Sequence, residues 1–139
     1  SANFYWSVPT FTSKNLIQRP IFNTRWLTWL PTYTGSASLT FSTVTTTVAK
    51  YMLDTNTCSV KLDATGTTGG IVSTTIYASL PVANTAVETA HCDTLQGSSY
   101  FVGYGQILTS VFAASLYNNA NWSLAAGTGF RGTVLYQII

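Results

Sequence analysis

The chain has 139 residues, enough for one domain with a substantial core and too few for two, and only 7% of them are charged against about 25% in ordinary soluble domains. The net charge of +2 comes from scattered Lys14, Arg19, Arg25, Lys50, Lys61 and Arg131 set against four acids, which leaves no basic stripe for nucleic acid and no charge block for a membrane surface. Polarity is supplied instead by 24 threonines and 14 serines, and every apolar run stops well short of the roughly 18 residues of a membrane-crossing helix.

Residues 1–25 place Phe4, Tyr5, Trp6, Phe11 and Phe22 among Pro9 and Pro20 without a helical or strand period, and are read as an extended arm ahead of a single domain over 26–139. Ser1 to Thr12 lack the basic-then-apolar pattern of a signal peptide, so export by the secretory route is not expected. In Thr24–Gly35, TRWLTWLPTYTG, Pro31 and the threonines favour an extended path over a helix. Trp26 and Trp29 then point to opposite sides. One is expected in the chain's own core and the other, with Tyr33 nearby, against the arm or an adjacent subunit.

Ala37–Phe41 alternates apolar and hydroxylated residues as a half-buried strand does. Ala49–Leu53 and Cys58–Leu62 flank Asp54–Thr57, the pattern of a hairpin with a four-residue loop. Its register should bury Tyr51, Leu53, Cys58, Val60 and Leu62 and let Lys50, Lys61 and Asp63 reach solvent or a neighbour. Gly66, Gly69 and Gly70 predict a turn, Ile71–Leu80 a strand ending at Pro81, and Val82–Gly97 a loop. Tyr100–Leu108, Ser110–Leu116 and Phe130–Ile139 complete the strands, with turns at residues 118–121 and 127–129. About eight short strands at regular spacing predict an all-β fold, an antiparallel β-sandwich or jelly roll. They are too short and irregular for a membrane barrel. In the closing strand Leu135 and Ile139 put apolar groups on the second face, and with the low charge this argues for subunit contacts.

Chemical motifs are scarce. Asp54, Asp63, Glu88 and Asp93 sit in turn-like or loop contexts rather than as a catalytic pair, and no nucleophile elbow accompanies His91 and Asp93. Glu88, His91 and Cys92 lack repeated ligand spacings, so no metal is expected. Residues 66–70 lack the lysine of a phosphate loop, and no cofactor is expected. Two cysteines make no disulfide framework; Cys58 reads as a buried free thiol, with a Cys58–Cys92 bridge as the alternative. Asn121-Trp122-Ser123 matches a glycosylation acceptor without other support. The segment Tyr117, Asn118, Asn119, Asn121 and Trp122 combines aromatic faces with amides, the chemistry that holds neutral sugars, while Trp122 could equally close one end of the core.

In order, Trp29-Leu-Pro-Thr-Tyr-Thr-Gly35, the hairpin at Tyr51–Leu62, the Gly-Thr-Thr-Gly segment, Ser79-Leu-Pro81, Trp122 and a closing strand resemble the C-terminal β-sandwich domains of tailed-bacteriophage tail-fibre and related virion surface proteins. The likeness runs over about residues 26–139. It implies a homotrimeric, non-enzymatic module on the particle surface, bound to other virion proteins and contacting a host glycan. It carries over no catalytic residue and no fixed binding site. A capsid decoration or head-fibre subunit is the nearby alternative; a monomeric carbohydrate-binding module of a secreted enzyme is the alternative from another class.

Overall fold

The computed structural model describes residues 25–139, so the expected arm over residues 1–25 lies, apart from Arg25, outside the described residues. Two thirds of the described residues are in strands and none is in a helix. The strands are β1 (Leu27–Thr28), β2 (Tyr33–Gly35), β3 (Leu39–Asp54), β4 (Thr57–Gly70), β5 (Thr75–Ser79), β6 (Glu88–Gln96), β7 (Ser99–Leu108), β8 (Val111–Leu116) and β9 (Ala126–Gln137). They form one antiparallel sheet in the order β1-β3-β4-β9-β6-β7-β8-β5-β2, curled into a half-barrel around its apolar face.

The hairpin is where the alternation placed it. Tyr51 pairs with Val60 and Lys50 with Lys61. Cys58, Val60 and Leu62 are buried, Tyr51 and Leu53 are half-buried against the core, and Lys50 and Lys61 are exposed, with Asp63 intermediate. The loop is tighter than expected. Asp54 pairs with Thr57, which leaves only Thr55 and Asn56 outside the ladder, and Thr55 takes a φ of 52°. The three glycines do not make a turn either. Gly66, Gly69 and Gly70 continue β4 opposite β3, and the chain turns after them. The next strand accordingly starts at Thr75 instead of Ile71.

The larger difference is β6, which occupies most of the expected loop over Val82–Gly97. Its inward residues Ala90, Cys92 and Thr94 are buried but small or polar, so their period of two carries little hydrophobic signal. They have to be small: the inward Phe112 of β8 lies flat on Phe130 of β9, with centroids 5.9 Å apart and planes 10° apart. Phe41 and Tyr33 pack around Phe130 at 6.2 and 6.4 Å. Gly132 makes room for this cluster, because a Cβ there would collide with the Phe112 ring.

A curled sheet must close its open side. β1 ends one edge of the sheet and β2 the other, yet only the four residues Trp29–Thr32 join them. Trp29 spans the gap. Its backbone N–H donates to Ala49 O on β3 at 3.3 Å, while its indole N–H donates to Ser79 O at the end of β5 at 3.0 Å. Thr32 and Ser79 exchange two further bonds of 2.9 Å each, and the Tyr33 hydroxyl meets Thr46 Oγ1 across the same gap at 2.7 Å. Trp29 also sets an edge against Tyr51 at 6.0 Å. Truncating Trp29 to alanine should cost about 3 kcal/mol in urea unfolding. Trp29→Phe, which keeps the ring and loses the indole bond, should cost about 1 kcal/mol.

Both cysteines are free and buried. Across the ladder Cys58 faces Tyr136 and Cys92 faces Gly132, on opposite sides of β9. Burial first, and the Asp93 carboxylate second, push the Cys92 thiol up to about 12 from 9.0. Burial also raises Cys58 and Tyr136, whose hydroxyl donates to Val82 O at 2.7 Å. The native state therefore keeps protons that an unfolded chain releases. This contribution is whole below pH 9 and is lost as pH rises from about 9 through 12, by about 1.4 kcal/mol per pH unit for each proton retained. Denaturation midpoints measured from pH 8.5 upward should fall steeply, and Cys92→Ala should remove one proton's share of that slope.

Candidate functional site

On the outer face, the strand β8 presents Ala113 and Ser115 between two taller neighbours. Register places Ala113 between Tyr77 of β5 and Gln106 of β7, and Ser115 between Thr75 and Tyr104. Small residues on the middle strand and large ones on its flanks make a groove, here of about 440 Å³. The turn after β8 closes one end with Tyr117 and Asn119. Asn119 holds a φ of 58° and its N–H donates to Leu116 O at 2.8 Å, which fixes the turn that carries Tyr117 outward.

The lining is neutral throughout: three tyrosines, two side-chain amides, and the hydroxyls of Thr74, Thr75 and Ser115. Tyr104 and Tyr117 are exposed and Tyr77 half-buried, so their rings offer faces as well as hydroxyls. Thr74, Thr75 and Ser115 form a short hydroxyl chain with spacings of 3.1 and 3.2 Å. No carboxylate, histidine, lysine or arginine lines the groove. What it can do is stack a sugar ring on tyrosine and satisfy neutral hydroxyl groups with amides and hydroxyls.

Of the five residues expected to hold a ligand, Tyr117 and Asn119 line this groove. Asn118 and Asn121 are exposed on the same turn outside the lining, and Asn118 Oδ1 accepts the Ala120 N–H at 3.1 Å. Trp122 is corrected to a core residue. It is wholly buried, its backbone N–H donates to Ser73 O at 2.9 Å, and it presents no ring face to a ligand. Tyr77, Tyr104 and Gln106 were missed by sequence reasoning. Each stands at an outward position of its strand, between inward Ile76 and Ala78 or beside inward Gly105 and Ile107, but only the pairing of β5, β8 and β7 brings them together.

The residues expected at a seam separate in the same way. Trp29 and Tyr33 pack into the chain's own closure and core, so Trp29 is the tryptophan of the pair that turns inward; the arm lies outside the described residues. Trp26 faces the other side, is 37% exposed, and lies under the Lys61 ammonium at 5.0 Å from the ring centroid. Among the described residues no group of three or more His, Cys, Asp or Glu is placed to hold a metal ion, and no helix is long and apolar enough to cross a membrane. No family model, curated protein or solved structure matches the chain.

Among the described residues the indole N–H of Trp122 has no hydrogen-bond partner. Trp122→Phe removes that buried donor along with some volume, so it should cost about 1 kcal/mol, whereas Trp122→Ala should cost about 4 kcal/mol. Chemical denaturation of the two variants beside the parent checks the difference.

Proposed function

We propose that the chain is a non-enzymatic attachment module on the surface of a bacteriophage virion, at a tail-fibre tip or a comparable position, and that it binds a neutral host glycan in the β5–β8–β7 groove. The observation that carries this reading is the groove itself: three tyrosines and two amides around a floor of Ala113 and Ser115, with no charge. The arrangement suits a ligand rich in hydroxyls and CH faces. The curled sheet, whose two ends are strapped together over one aromatic core, supports a sandwich or jelly-roll-like description of the domain. Exposed Leu135, Val102 and Phe101 on a charge-poor surface support assembly as a homotrimer with other virion proteins.

The carboxylates argue against hydrolysis as the function. Asp63 and Asp93 both neighbour Arg131 in the ladder, one on each side. The Arg131 guanidinium bonds Asp93 at 3.4 Å and lies 3.8 Å over the Tyr100 ring. Asp93 is therefore held by Arg131 rather than standing free as one member of a catalytic pair.

On an array of neutral and charged glycans the full chain should bind a neutral subset. Tyr104→Ala and Tyr117→Ala, both at exposed positions, should each weaken that binding about tenfold or more with unchanged thermal unfolding. Binding of neutral glycans that survives both substitutions would overturn the groove. Polysaccharide cleavage by the purified chain, abolished in Asp63→Asn or Asp93→Asn, would overturn the non-enzymatic reading. A mass in solution equal to one chain would favour the monomeric carbohydrate-binding module instead.

A further inference from the structure

The outer face of β4, β9 and β6 holds a depression of about 280 Å³, bordered by Val48, Lys61, Asp63, His91, Arg131 and Thr133. Charged residues surround it, yet its exposed lining is almost wholly apolar. The reason is where the charges go. The Lys61 ammonium turns toward β1, 5.0 Å from the centroid of the Trp26 ring, and the Arg131 guanidinium turns toward β7, 3.8 Å over the Tyr100 ring. Each leaves its aliphatic stem behind, so a space ringed by ionised side chains offers carbon to whatever enters it.

The apolar character continues past the depression. Leu135, two residues after Thr133 and so on the same face of β9, is 60% exposed. Its ladder partner is Ser59, the partner of Ser59 on β3 is Met52, and Trp26 stands beside Met52 because Leu27 pairs with Tyr51. One row across four strands therefore reads Trp26, Met52, Ser59, Leu135, with a small hydroxyl between larger apolar groups. It makes a shallow channel from the edge of the sheet to the side of the depression.

The chain enters this face at the head of that channel. Residues 1–24 lie outside the described residues and join the sheet next to Trp26. Immediately upstream, Leu16-Ile-Gln-Arg-Pro-Ile-Phe22 brings four large apolar side chains, and Pro20 favours an extended path. From β1 to β9 is three strand spacings, about 14 Å. An extended chain advances about 3.3 Å per residue, so Phe22 reaches about 13 Å from Trp26 and Leu16 about 33 Å. The stretch is long enough to cross the row and to cover the depression beside it.

Charge points the same way. Residues 1–24 contain Lys14 and Arg19 and no acid. On the face, the two ion pairs both go to Asp93, from His91 and from Arg131, and among the described residues none goes to Asp63. Arg19, three residues before Phe22, can bring a cation to that carboxylate.

We propose that Leu16–Phe22 folds back over the outer face of its own chain, laying apolar side chains along the row from Trp26 to Leu135 and into the depression, with Arg19 against Asp63. The covalent link through Trp26 makes the contact intramolecular and gives it an effective concentration that a segment of a second copy lacks. The inference does not rest on the glycan reading, and it leaves Phe101 and Val102 of β7 for contacts between copies.

The test is proton–proton Overhauser spectroscopy on the isotope-labelled full chain, repeated on a sample that mixes labelled and unlabelled chains. Side chains of residues 16–22 should show contacts to the methyl groups of Leu135 and Thr133 within one chain. Leu135→Lys and Arg19→Glu should each abolish those contacts and speed amide hydrogen exchange in residues 16–22 about tenfold or more. Unchanged resonances of the core report that both variants are folded. Absence of contacts from residues 16–22 to this face, or unchanged exchange in both variants, would overturn the proposal. Contacts found only between chains in the mixed sample would overturn it as well, in favour of a second copy as the occupant. Binding on the glycan array reads Tyr104 and Tyr117 on the other half of the sheet and should be unchanged in Leu135→Lys, so failure of one reading does not imitate failure of the other.

Discussion

The closure made by Trp29 is the contact on which the remaining architecture depends. A sheet nine strands wide has two edges, and twist and curl bring them near each other without joining them. Four residues between β1 and β2 must cross that gap, and Pro31 within them keeps the crossing extended. The indole is long enough to pack on Tyr51 near one edge while its N–H reaches Ser79 O at the other. With the edges held, Tyr33 can enter the core beside Phe41 and Phe130, and the aromatic cluster is sealed from above.

That closure fixes the position of the neutral groove. β5 stands where it does because Thr32 and Ser79 bond each other, and β5 forms one wall of the neutral groove through Tyr77. The charged side chains of the outer face are set by β9, whose long ladder with β4 runs from Ala126 to Gln137 and which aligns Asp63, Arg131 and Asp93 in one row and Lys61, Thr133 and His91 in the next. β9 also carries Phe130 and Gly132 on its inner side, directly behind Arg131 and Thr133 on its outer side. Core packing and the charge rows thus share a strand, and a shift of one residue in β9 would invert both at once.

Much of this was legible in the sequence, and the limits are physical. The β3–β4 hairpin could be placed because its two faces differ sharply, with Cys58, Val60 and Leu62 against Ser59, Lys61 and Asp63. β6 could not, because a core occupied by phenylalanine rings from β8 and β9 leaves only Ala90, Cys92 and Thr94 for its inner face. The turn signal of Gly66, Gly69 and Gly70 misled for a related reason. At Gly66 a Cβ would press on Ser42 O and Phe41, so that glycine serves close strand packing and not a turn. Trp122 was ambiguous between ligand platform and core, and nothing local separates the two: only the position of Ser73, 49 residues earlier, decides it. Tyr77, Tyr104 and Gln106 were readable as outward residues, but strand order is not encoded in alternation, so their convergence was not.

The outer surface divides into a neutral half over β5, β8 and β7 and a charged half over β4, β9 and β6, and the division has a physical consequence for recognition. A neutral groove gains nothing from long-range steering, and its hydrogen bonds replace equally good ones to water, so stacking and desolvation must supply its affinity. Such contacts are individually weak. On the proposed reading, a single copy would hold a glycan only loosely, and several copies on one particle would be needed to raise the effective concentration of the second and third contacts. The same low charge leaves Val102 and Leu135 exposed with few charged neighbours. On the proposed reading, weak neutral recognition and assembly are two results of one compositional choice: hydroxyls in place of charges across a strand-rich surface.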